Sequence, residues 1–161
     1  MSQVLDRVRD AAGMALVADV GAVIEAASDM SGRFRGGGRL LAFGRAEAAA
    51  DAAHVAVEFT HPVIVGKRAL PALCLGADPS LLPILGRPQD IAVGIRPAAG
   101  DLAAARGLGM LTVALTADEE CREADHVLPA RSGDPLVARE IHITVYHLLW
   151  ELVHVFLEAA V

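Results

Sequence analysis

Apolar side chains return every three or four residues from the start of the chain: Val4, Leu5, Val8, Ala12, Leu16, Val20, Val23, Ile24 and Ala27. That spacing predicts one long amphipathic helix over residues 1–32. Met14, Val17 and Met30 widen its stripe, and Ser31-Gly32 followed by Gly36-Gly37-Gly38 is read as its stop. A helix with so broad an apolar face suits packing on a partner subunit, and equally an ordinary surface helix of one domain.

Beyond the glycines the pattern alternates between short apolar runs and helical stretches. The runs Arg39–Gly44, Leu70–Gly76, Asp90–Ile95, Leu111–Thr116 and His126–Pro129 are nearly continuously apolar, as parallel strands covered on both faces are. Helices are predicted over Ala46–Thr60, Gly100–Gly107 and Pro135–Ala160, with a short turn near Asp118–Ala124. The link Ala77–Gln89 carries Pro79, Pro83 and Pro88 and has room for one turn of helix. The expected fold is a single-domain, three-layer αβα sandwich around a five-stranded parallel sheet of the flavodoxin-like kind. Residues 39–130 form its α/β core, and long helices lie at both ends.

Composition narrows the partners. Among 161 residues, 14 Lys plus Arg face 20 Asp plus Glu, so the net charge is −6 and phosphate-rich nucleic acid is a poor partner. Cys74 and Cys121 match no disulfide framework or CxxC metal site, which fits a reducing cytoplasm. Neither a secretory signal nor a lipidation motif opens the chain, and no uncharged apolar run is long enough to span a membrane. A mean hydropathy of +0.45 is high for so small a domain, and subunit contacts are the expected sink for the excess.

Three places carry candidate chemistry. On the helix after Gly44, the residues Asp51, His54 and Glu58 share one face, and His54 with Glu58 has the one-turn spacing at which an imidazole and a carboxylate converge on a divalent metal. The same spacing also describes a solvated ion pair. In the last helix Glu140, His147 and His154 recur every seven residues, flanked at the start by Arg139 and His142. His142, Tyr146, Leu149, Trp150, Val153 and Phe156 read as its bulky side, facing core or subunit. The loop Arg96–Asp101 leads into a helix through Gly100-Asp101, where backbone N–H groups suit an anion.

These residues resemble a family. Gly44–Thr60, GRAEAAADAAHVAVEFT, is similar to the DAxHxxxEL/FT helix of the phosphoheptose isomerase branch of the sugar isomerase (SIS) domain proteins. Lys67–Leu75, KRALPALCL, resembles the family's RPALPAIAL segment, and Arg139–Glu151, REIHITVYHLLWE, resembles its QEIHxxxxHxLxE helix. The resemblance implies a parallel αβα sandwich assembled as a homotetramer (a dimer stays open), with sites at subunit interfaces and zinc as cofactor. It implies interconversion of an aldose and a ketose, sedoheptulose 7-phosphate in the type reaction. Carried over, His54, Glu58 and His147 would hold the metal, Glu58 and His147 would do acid–base work, and Asp51 falls on the motif's acidic position.

The phosphate loops depart from that pattern. The family's Asn-Gly-Gly-Ser is here Arg45-Ala46-Glu47-Ala48, in which Glu47 is expected to repel a phosphate. The STSGNS-type loop is here Arg96-Pro97-Ala98-Ala99-Gly100-Asp101, without a hydroxyl. Arg139 replaces the glutamine that joins the metal site, and a guanidinium cannot ligate a cation. Arg45, Asp51, Arg96 and Arg139 are therefore the candidate substrate-binding residues, the arginines gripping an anion through their forks. Two readings follow. In one the chain is a non-catalytic SIS module with lost or altered phosphosugar binding, acting in assembly or in binding a small anionic sugar derivative. In the other it is a metal-dependent isomerase of a phosphorylated sugar.

Overall fold

The computed structural model describes residues 20–62, 64–117, 121 and 123–159. The first described helix, α1, is Val20–Arg35; expectations for residues 1–19 and for 118–120 and 122 lie outside the described residues. Strand β1 (Leu40–Gly44), helix α2 (Ala48–Thr60) and strand β2 (Ala72–Cys74) follow. A 3-10 turn at Pro79–Leu81 runs into the one-turn helix α3, Leu82–Leu85. Then come β3 (Ile91–Ile95), α4 (Ala103–Gly107), β4 (Leu111–Thr116), β5 (His126–Pro129) and α5 (Pro135–Glu158).

The five strands form one sheet in the order β2-β1-β3-β4-β5, and every pairing is parallel. This is the expected three-layer αβα sandwich of flavodoxin-like order. Side-chain alternation divides β1 between its two faces. Leu40 and Ala42 pack with Val23, Met30, Val55, Phe59, Tyr146 and Leu149 of α1, α2 and α5. Leu41 and Phe43 pack with Leu82, Leu102 and Ala105 of the thinner layer that holds α3 and α4. Chain order reverses beside β1, so the crevice between the carboxyl ends of β1 and β3 is the topological switch point where ligands of such sheets bind.

Several boundaries differ from the sequence reading. Helix α1 runs through Ser31-Gly32 instead of stopping there. The Ser31 hydroxyl bonds back to the Ser28 carbonyl, and Phe34 stacks on Phe59 with centroids 5.7 Å apart. That burial outweighs a glycine penalty of about 1 kcal/mol. The stop comes at Gly36-Gly37, with Gly37 at φ +79. Gly38 follows because any Cβ there would lie 2.2 Å from the Gln89 carbonyl oxygen. Strand β2 shrinks to three residues, since it is an edge strand and Pro71 has no N–H to give the ladder. Helix α2 starts two residues late because Ala46 turns left-handed, at φ +48. Among the described residues no helix is long and apolar enough to cross a membrane.

Candidate functional site

Helix α2 lies against the sheet through Ala48, Ala52, Val55, Ala56 and Phe59, all buried. The small side chains seat it closely. Gly44 makes the entry turn, for a Cβ there would come within 2.3 Å of the Ala48 carbonyl oxygen. Its other face carries His54 and Glu58 toward α5. Helix α5 is started by Asp134, whose carboxylate accepts from the Leu136 and Val137 N–H groups, and by Pro135 in its first turn.

His54, Glu58 and His147 meet in one protomer. Their ligand atoms all lie within 4.8 Å of one another. His54 Nε2 is 3.1 Å from Glu58 Oε1, and His147 Nε2 is 3.8 Å from the same oxygen. Ligands at about 2.1 Å around one tetrahedral ion stand roughly 3.4 Å apart, so the three atoms need only small adjustments to share a cation. Two imidazoles and a carboxylate are also the donor set zinc takes at catalytic sites, where one position stays open. The histidine side chains are 42% and 45% exposed while Glu58 is 15% exposed, so the group sits at the mouth of a cavity. That cavity, about 350 Å³, is lined by Glu58, Ile64, His147, Trp150 and Glu151.

Behind the triad, Tyr146 is buried and its hydroxyl lies 2.7 Å from His54 Nδ1. Burial pushes its phenol well above the ordinary range, with the Asp51 and Glu58 charges adding to the shift, so the group stays neutral. The sequence reading placed Tyr146 only on the bulky side of the helix. The signal for its polar role was the phenol itself, whose hydroxyl needs a partner when buried.

The remaining candidates are all held in ion pairs, only one of which joins two of them. Arg139 binds Asp51 through two nitrogens, at 2.8 and 3.0 Å. Arg45, after β1, forks onto Asp101, after β3, at 2.8 and 2.5 Å. Arg96, after β3, reaches Glu47, after β1, at 2.8 Å. The two pairs thus cross the switch point in opposite directions. Asp101 also accepts the Ala98 N–H, and Glu123 accepts that of Gly100, so backbone donors suited to an anion already hold carboxylates. Its bond to Arg45 holds the Asp101 carboxyl below the usual range; Glu47 is held low by its own backbone N–H and then by Arg96. Glu47 therefore carries a guanidinium partner, which the sequence reading did not anticipate. Ala46, Arg96 and Arg131 all have φ near +50, each just after a strand, which places backbone strain at the ligand-binding end of the sheet. A second cavity, about 470 Å³, opens there among Arg96, Ala117, Arg131, Ser132, Gly133 and Ala138.

The other histidines of α5 are structural. His142 is buried and its Nε2–H donates to the Thr116 carbonyl at 2.9 Å. His154 is buried between the Trp150 and Arg68 carbonyls, so the seven-residue stripe with Glu140 contributes only His147 to the site.

Known structures share this fold. A phosphoheptose isomerase from Neisseria gonorrhoeae superposes with a TM-score of 0.79 at 23% identity, covering 94% of this chain and 95% of that one. One from Francisella tularensis gives 0.77 at 18% identity, over 94% and 97%. No family model matches the chain. Curated relatives are nearer in sequence. The phosphoheptose isomerase of Desulfovibrio desulfuricans is 38% identical over 148 residues, spanning 75% of this chain and 70% of that protein. That of a Roseiflexus species is 34% identical over 146 residues, 74% of each. With relatives this similar over most of both lengths, and with the sheet order and helices of their fold, the chain belongs to the phosphoheptose isomerase family.

Proposed function

We propose that the protein is a metal-dependent aldose–ketose isomerase acting on a phosphorylated sugar of the sedoheptulose 7-phosphate class. The observation that carries this is the convergence of His54, Glu58 and His147 from two helices. Zinc is the cation we assign to them; held there, it supplies an electrophile for the sugar's carbonyl oxygen. The reaction moves one proton between neighbouring carbons and another between their oxygens. Glu58 Oε1 faces both imidazoles, which leaves Oε2 to take the carbon-bound proton and return it to the adjacent carbon. His147, half-exposed at the cavity mouth, would hold the cation through Nε2 and keep its one ring proton on Nδ1 to donate a hydrogen bond to a sugar oxygen, while the hydroxyl proton exchanges through solvent. The reading includes self-association through α1 and α5, where Val20, Ile24 and Val155 remain exposed.

A second reading, a non-catalytic binding module, is favoured by the crossed ion pairs Arg45–Asp101 and Arg96–Glu47, because they occupy the donors a sugar phosphate would need. Incubating zinc-supplied protein with sedoheptulose 7-phosphate in D₂O decides between them. The isomerase incorporates deuterium at the exchanging carbon, and Glu58→Gln slows this by roughly 10²–10⁴-fold. No incorporation by the unaltered protein would leave the binding-module reading.

A further inference from the structure

Tyr146 touches both imidazoles of the triad. Its ring meets His54 at a centroid distance of 5.2 Å and 79°, and His147 at 5.0 Å and 78°. The two imidazoles meet each other at 5.2 Å and 77°, so the three rings form a corner of mutually perpendicular planes. The hydroxyl adds a directed contact, 2.7 Å from His54 Nδ1, while His54 Nε2 faces Glu58.

A neutral imidazole has one N–H, and the nitrogen that keeps it cannot ligate a cation. With the site free, Nε2–H donates to Glu58 Oε1 and the Tyr146 hydroxyl donates to Nδ1. With a cation on Nε2, the ring proton sits on Nδ1 and the hydroxyl must accept it. The ring's proton count does not change; its proton has moved from one nitrogen to the other. A hydroxyl serves both arrangements, whereas a carbonyl serves only the second and phenylalanine serves neither.

We propose that Tyr146 is a positioning residue for metal binding: its hydroxyl accepts the Nδ1 proton that His54 must carry when Nε2 ligates, and its ring fixes the planes of both histidines. The proposal rests on the metal reading of the triad and concerns a residue that is not itself a ligand. Such outer partners of a ligating histidine typically change metal affinity 10–100-fold.

The test is a competition titration of the purified full chain with zinc against a chromophoric chelator, comparing wild type, Tyr146→Phe and Tyr146→Leu. Expected is a loss of affinity of about 10–100-fold in Tyr146→Phe, and a larger loss in Tyr146→Leu, which also removes the wall beside His147. A merely structural hydroxyl would lower the metal-free melting temperature and leave zinc affinity within about twofold of wild type, and that result overturns the proposal. Wild-type protein that takes up no zinc overturns the triad reading and the proposal with it. Should Tyr146→Phe not fold, imidazole ¹⁵N spectra of the zinc-loaded wild type still decide. They are expected to show the His54 Nδ1 proton hydrogen-bonded and protected from exchange with water, and one that exchanges as freely as the His147 ring proton overturns the proposal.

Discussion

Arg139 of α5 and Asp51 of α2 form a two-pronged ion pair that ties the two helices bearing the triad. Nη2 lies 2.8 Å from one carboxylate oxygen and Nε 3.0 Å from the other. The sides differ in their surroundings: the Arg139 side chain is 45% exposed, that of Asp51 only 8%. Water can resolvate the guanidinium but not the carboxylate. Arg139→Ala is therefore expected to lower the melting temperature more than Asp51→Ala. The double variant should melt close to Asp51→Ala, because the stranded carboxylate is then gone. Thermal denaturation of the three variants checks the order, and equal losses from both single variants would contradict it.

At the switch point, Asp101 and Glu47 occupy the guanidiniums of Arg45 and Arg96 that a phosphate would need. The combined variant Glu47→Gln with Asp101→Asn keeps the shapes and releases the guanidiniums. Inorganic phosphate at about ten times its Kd should then raise the variant's melting temperature by roughly 3–6 °C, with a smaller rise in wild type. An equal rise in both would show that the carboxylates do not block anions.

His142 gives the fold a pH dependence. Burial, reinforced by Arg96, holds its imidazole below the ordinary value, and the bond to the Thr116 carbonyl and the Asp51 charge only partly oppose this. A depressed histidine pKa means that the unfolded chain binds the proton more readily. Its stabilising effect is thus whole above about pH 6.5 and shrinks as pH falls toward the folded value. The carboxylates Glu47, Asp78 and Asp101, also held low, lose their contribution only in the more acidic range. Glutamine at this position keeps an N–H donor for Thr116 and cannot titrate. Melting curves of wild type and His142→Gln between about pH 7.5 and 5 should diverge, with wild type falling faster; parallel curves would contradict this account.

Much of this was legible in the sequence because the signals were local. Continuous apolar runs located the strands, and one-turn spacing placed His54 beside Glu58. The approach of His147, 93 residues after His54 and on another helix, came from motif resemblance, since helical periodicity alone says nothing of contacts between elements. What the sequence concealed was pairing over distance. Arg45 and Asp101 are 56 residues apart and Arg96 and Glu47 are 49, and nothing local marks either couple. Helix α1 passed its glycine for a similar reason: the stacking of Phe34 on Phe59 is a tertiary contact that overrides propensity.

Zinc content is the most direct measurement. Protein purified without added metal should carry about one zinc per chain, and His54→Ala, Glu58→Gln and His147→Ala should each lose most of it while remaining folded. Metal-free wild type that also refuses zinc in titration, or variants that keep their metal, would contradict the convergence of two helices on a single cation as the basis of this site.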